Sequence, residues 1–152
     1  VSSTYIRTLL AAGDMETASR FLGHPHQLSG VVQHGQGRGG KLEMPTANLT
    51  FPAGVLVPPY GVYAAEVETD GARCPASVNI GVHPTAGALD APVLEAWIQG
   101  DCGDLYGRQI TVLLYKHIRG ERKFSSMDAL RAQVLQDTKA IMEYLKEKLA
   151  AT

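Results

Sequence analysis

Several protein classes need features that this chain lacks. Nowhere do apolar residues run on for the roughly 18 positions of a membrane helix, so no bilayer span is expected. The 14 Lys and Arg residues are matched by 15 Asp and Glu, leaving a net charge of −1. Nucleic-acid binding leaves a basic patch or stripe, and with none visible no nucleic-acid partner is expected. There are only two cysteines, Cys74 and Cys102, with no C-x-x-C pair and no adjacent His ligands. Neither a zinc site nor a disulfide framework is therefore expected, and a reducing cytoplasm fits. The first ten residues lack the basic stretch and apolar core of a secretory signal. Neither the G-x-x-x-x-G-K-[ST] loop nor a G-x-G-x-x-G opening a helix occurs, which removes the two common phosphate-loop folds.

What is present suits one domain: 152 residues, 45% hydrophobic and 19% charged, enough to bury about two-thirds of the unfolded surface. Residues 1–24 read as two short helices, Thr4–Ala12 capped by Ser3 and Met15–Leu22 capped by Asp14, stopped by Gly13 and Gly23. From there to Arg119, short β-prone runs alternate with Gly and Pro clusters. Strands are expected at Ser29–His34, Ala47–Thr50, Gly61–Thr69, Arg73–Ile80, Val93–Gln99 and Gln109–Ile118. Asp70-Gly71 marks a hairpin between the third and fourth. Six strands in so short a span suggest a barrel or a sandwich. Met127, Leu130, Val134, Ile141, Leu145 and Leu149 then recur at three-and-four spacing, with Thr138 filling a gap, which predicts an amphipathic helix over about 126–150. Ser125 or Ser126 is its cap.

Three stretches carry possible chemistry. In Gly35-Gln36-Gly37-Arg38-Gly39-Gly40-Lys41, glycines allow backbone N–H groups to converge on an anion beside two cations; a plain flexible loop fits as well. In Pro45-Thr46-Ala47-Asn48, strand alternation puts Thr46 and Asn48 on one face. Their neutral oxygens suit Mg²⁺, although a turn leading into a strand, taken alone, is the simpler account of them. Glu95 shares a face with Val93 and Trp97, so its carboxylate is either open to solvent or held in a site as a base. A base, a metal and phosphate-directed N–H groups are together what phosphoryl transfer to an alcohol requires.

The order of these pieces resembles the riboflavin kinase family. Gly30-Val31-Val32-Gln33-His34-Gly35 with the glycine loop and Pro45-Thr46-Ala47-Asn48-Leu49 look like its opening signature. Gly61-Val62-Tyr63, Val78-Asn79-Ile80-Gly81, Pro84-Thr85, Glu95, Asp104-Leu105-Tyr106-Gly107 and Ile118-Arg119 with Glu121, Lys123 and Phe124 follow in order. The resemblance spans about residues 28–140. It implies a mainly β fold: a six-stranded antiparallel, Greek-key type barrel over about 29–119, with a short helical linker before it and the long helix after it. It also implies ATP-dependent phosphorylation of riboflavin to FMN. ATP would lie on His34, Gly35, Arg38, Gly39, Gly40, Lys41, Thr46 and Asn48, Mg²⁺ on Thr46 and Asn48, and Glu95 would be the base. Arg119, Leu130, Val134 and Asp137 would border the flavin. Residues 1–24 are similar to the linker of bacterial bifunctional FAD synthetases, so an N-terminal FMN adenylyltransferase domain is the expected partner of a kinase domain over 25–152.

Some positions depart from the family's pattern. Glu43 and Met44 precede Pro45 where a glycine and an aromatic or aliphatic residue are usual, and His83 and Ala86 alter an Arg-Pro-Thr-Phe segment. Trp97 stands where histidine is common, and Gln99 replaces a frequent acidic residue. Glu43 and Ala86 lend some weight to an alternative, a flavin- or nucleotide-binding module that turns over too slowly to matter and serves regulation.

Overall fold

The computed structural model describes residues 2–33, 46–82, 91–100 and 102–150. Among these residues nine elements follow one another: α1 (Ser3–Ala11), α2 (Met15–Leu22), β1 (His26–Val31), β2 (Thr46–Thr50), β3 (Gly61–Thr69), β4 (Ala72–Val82), β5 (Pro92–Ile98), β6 (Gln109–Arg119) and α3 (Met127–Ala150). The strands form one antiparallel sheet in the order β1-β6-β3-β4-β5-β2. Its edges meet where Gln33 N–H donates to the Asn48 carbonyl at 2.9 Å, an antiparallel bridge that curls the sheet into a barrel.

That closure explains the one displaced strand. The expected Ser29–His34 run centres on the apolar pair Val31-Val32, yet the ladder begins at His26, opposite Leu114, and ends at Val31. Beyond it Val32 N–H still reaches Arg108 while Gln33 turns to Asn48, so the chain passes from one edge of the sheet to the other. His34 lies outside the described residues. The Asp70-Gly71 turn forms as expected, with Thr69 paired to Ala72 and Gly71 at φ 72°.

Alternation divides the residues between two cores. Inward positions such as Ala47, Leu49, Tyr63, Val67, Val78, Ile80, Leu94 and Ile110 fill the barrel. Leu10, Met15 and Ala18 of α1 and α2 join that same core. The lead-in helices are capped by Ser2, one residue before the expected Ser3, and by Asp14, each accepting a backbone N–H at 3.1 Å. On the outer face, Ile141 and Leu145 of α3 pack on Val62 and Ala64 of β3 and on Leu113 and Tyr115 of β6. Ser126 caps α3 through Ala129 N–H. The centre of its buried stripe is Asp137 rather than the expected Thr138, for reasons the site makes plain.

Cys74 and Cys102 form a disulfide, which corrects the expectation of two unlinked thiols. Pairing of Ala76 with Ile98 and of Pro75 O with Gln99 N–H carries the chain after β5 alongside Cys74. Only strand register reveals this proximity, because the two residues are 28 apart in sequence. Closing a loop of that length is worth about 3.5 kcal/mol in chain entropy. Cys102→Ser, or reduction of the wild type, is expected to lower unfolding free energy by about that amount in urea titrations; no change would mean the bond contributes nothing to stability.

Candidate active site

Three carboxylates are buried among the described residues: Glu66, Glu95 and Asp137. Burying a carboxylate without a partner costs several kcal/mol, so the partners tell the three apart. Glu66 accepts from Tyr115 Oη at 2.5 Å and lies 3.7 Å from Arg73; burial and this carboxylate together push the Tyr115 hydroxyl pKa well above its usual value. Asp137 is held by the Arg119 guanidinium through Nε and Nη2, the latter at 2.8 Å, and by Gln133 at 2.9 Å. Glu95 is 2% exposed and, among the described residues, receives only a neutral donor, the Trp97 indole N–H at 2.6 Å on Oε1. No cation lies within ion-pair distance of it among the described residues.

The neighbours of Glu95 share its outer face. It pairs with Asn48 of β2 on one side and with Asn79 of β4 on the other. Asn79 pairs in turn with Val62, and Val62 with Arg119. Register thus lines up Asn48, Glu95, Asn79, Val62 and Arg119 in one row across five strands. At about 4.8 Å per strand the row is roughly 19 Å long. Asn48 is 6% exposed, and its Nδ2 is buried with no hydrogen-bond partner among the described residues. Thr46 lies two residues along the same face, opposite Trp97. It also lines a cleft of about 180 Å³ with Ile98, Gly103, Asp104, Leu105 and Tyr106.

At the other end of the row, Leu130 and Val134 occupy the first turns of α3 and are only half buried. Arg119 and Arg122 lie over the Phe124 ring, and Arg122 binds Gln133 at 2.7 Å, which fastens the β6–α3 connection to the helix. The Asp137 carboxylate faces Arg119 and Gln133, so its link to the row is through Arg119.

The structure therefore brings together Thr46, Asn48 and Glu95, and sets Arg119, Leu130, Val134 and Asp137 at the far end of the same face. His34, Gly35, Arg38, Gly39, Gly40 and Lys41 lie outside the described residues, as do Glu43, Met44, His83 and Ala86. Sequence reasoning missed the role of Trp97 as donor to Glu95, although the i, i+2 spacing on a strand already placed them on one face. It also passed over Asn79, whose place beside Glu95 depends on β4–β5 register. A larger open hollow of about 670 Å³ at the β3–β4 hairpin holds no comparable group: Arg73 is paired with Glu68 and Glu66, and Arg108 lies 3.7 Å from Asp70.

An antiparallel barrel that holds, among its described residues, a buried carboxylate with no cationic partner beside a buried amide donor with no acceptor has the makings of a group-transfer enzyme acting on a hydroxyl. The chain belongs to the riboflavin kinase family: the family described as "Flavokinase: Riboflavin kinase" matches residues 22–145. It is 40% identical over 140 residues to a bifunctional riboflavin kinase/FMN adenylyltransferase of Pseudomonas fluorescens, covering 92% of this chain and 45% of that one. With the Bacillus subtilis protein of the same description it shares 38% identity over 146 residues, 95% of this chain and 46% of that one. The chain thus spans about half the length of these relatives. A solved structure described as a macrolide-efflux protein from Streptococcus pneumoniae is similar at TM-score 0.84 and 32% identity, covering 93% of this chain and 46% of that one. The description is that protein's own; among the described residues here no helix is long and apolar enough to cross a membrane.

Proposed function

We propose that this chain transfers the γ-phosphoryl group of ATP to the 5′-hydroxyl of riboflavin, giving FMN and ADP. The observation that carries this reading is Glu95: a buried carboxylate with no cationic partner among the described residues, next to a buried amide donor that has no acceptor among them. The indole of Trp97 engages Oε1 and orients the group, and the remaining oxygen accepts the hydroxyl proton as the alkoxide oxygen bonds to the γ-phosphorus. The bond from that phosphorus to the bridging oxygen breaks, and ADP departs. Asn48 Nδ2 donates to a phosphate oxygen, which satisfies it.

Mg²⁺ fits the donor set. Thr46 and Asn48 offer a hydroxyl and an amide oxygen, hard neutral ligands that leave the rest of the coordination shell to phosphate and water. When bound, the ion supplies charge neutralisation on the phosphates. Riboflavin would lie along the row towards α3, with Leu130 and Val134 as an apolar wall and Arg119, held by Asp137, at its edge. The glycine loop over 35–41 is assigned to the ATP phosphates on its composition. We place the reaction in the cytoplasm, where ATP is at hand. In a longer protein, α1 and α2 would join this module to an FMN adenylyltransferase domain, as the descriptions of its relatives suggest.

The test is FMN formation by the purified chain from riboflavin, ATP and Mg²⁺. A Thr46→Ala, Asn48→Ala double variant is expected to turn over about 10²–10³-fold more slowly, the scale on which a charge-stabilising donor acts. Saturable riboflavin binding without FMN from the wild type would replace this reading with that of a binding module.

A further inference from the structure

The outer face of β4 is polar where its neighbours are not. Its outward positions beside the site are Ser77, Asn79 and Gly81. On one side β3 presents Val62 and Ala64, packed against α3; on the other stand Glu95 and Trp97. Asparagine is disfavoured in strands. Asn79 nevertheless sits in the middle of one, half buried, and its amide has no hydrogen-bond partner among the described residues. Two residues on, Gly81 lacks a side chain where the Glu121 carboxylate comes down onto the sheet, and an added Cβ would collide with Glu121 Oε1. The lane between the base and the apolar ground under α3 therefore has a polar floor at Asn79 and an acidic wall at Glu121.

We infer that Asn79 binds the hydroxyls of the ribityl chain and so selects a flavin that carries a polyol. This rests on the riboflavin kinase reading and adds the side chain that would read the acceptor. With the reacting hydroxyl at Glu95 on β5 and the ring system against Leu130 and Val134 of α3, which packs on β3, the chain joining them must cross β4, two strand spacings or about 9.6 Å from β5 to β3. A sugar-alcohol hydroxyl both donates and accepts, and a carboxamide offers one group of each kind. Being neutral, it does so without setting a charge beside Glu95. No other outward side chain stands between Glu95 and Val62 in the row.

The experiment compares riboflavin with lumiflavin, which has the same ring and no ribityl chain, by quenching of flavin fluorescence on titration with protein. Asn79→Ala is expected to weaken riboflavin binding about tenfold, the scale of one or two hydrogen bonds, and to leave lumiflavin unchanged. Asn79→Ser, which keeps a hydroxyl, should recover part of the loss and carries the test if the alanine variant folds poorly. Equal weakening of both flavins, or of neither, overturns the assignment to Asn79 alone. A wild-type protein that binds neither flavin overturns the kinase reading and this inference with it.

Discussion

Glu95→Gln is expected to lower turnover by about 10²–10⁴-fold, the usual worth of a positioned general base, while the riboflavin dissociation constant moves less than about threefold. The amide keeps the size of the carboxylate and an oxygen for the Trp97 indole, which donates to Oε1 at 2.6 Å, but it cannot take a proton. The same change should not destabilise the fold. A carboxylate 2% exposed with no cation beside it among the described residues is a buried charge, and its neutral counterpart removes a desolvation cost of about 1–3 kcal/mol. Activity falling while the melting temperature holds or rises is the signature of a group retained for chemistry. Rates of FMN formation, fluorescence titration and thermal melts check the three parts. A lower melting temperature, or turnover and affinity lost together, would remove Glu95 as the base.

Gly61→Ala is expected to be the most damaging single methyl group among the described glycines. Gly61 opens β3 at φ 138°, a conformation nearly closed to other residues. A Cβ there would meet the Arg119 carbonyl oxygen, Gly120 Cα at 2.8 Å and His117 Nε2 at 2.8 Å. Backbone strain of about 1–3 kcal/mol adds to overpacking of similar size, so a loss of about 4 kcal/mol is expected, or roughly 10–15 °C in melting temperature. Gly71→Ala is the control. Its φ is 72°, but nothing lies within 4 Å of the added carbon, so it bears strain alone and should cost about 1–2 kcal/mol. Equal losses at the two positions would show that the close approach of β3 to the end of β6 is not what makes Gly61 necessary.

Much of the fold could be read from pattern, since turn chemistry and period-two alternation are local. β3 matches its expected bounds, β2, β4, β5 and β6 differ by a residue or two, and α2 runs between its expected cap and stop. Where long-range pairing decides, local signals failed. β1 begins three residues early because His26 and Gln27 have partners on β6, not because they favour a strand. The disulfide and the place of Asn79 escaped for the same reason. In α3, an apolar stripe was the natural expectation, and a buried Asp137 could not be foreseen without knowing that Arg119 ends the strand beneath it. In the proposed site, Thr46, Asn48 and Glu95 could be singled out one by one by side-chain chemistry, whereas their adjacency is a property of the sheet.

Dependence on adjacency has a consequence for how the gene can change. Asn48, Glu95, Asn79, Val62 and Arg119 come from five strands and share a face only through register. Losing one codon within β5 would turn Glu95 inward and bring an aliphatic side chain outward, which abolishes the site and fills the barrel with charge at one stroke. Length changes in the strands are therefore doubly disallowed, and the connections between them are left as the places where this lineage can gain or lose residues.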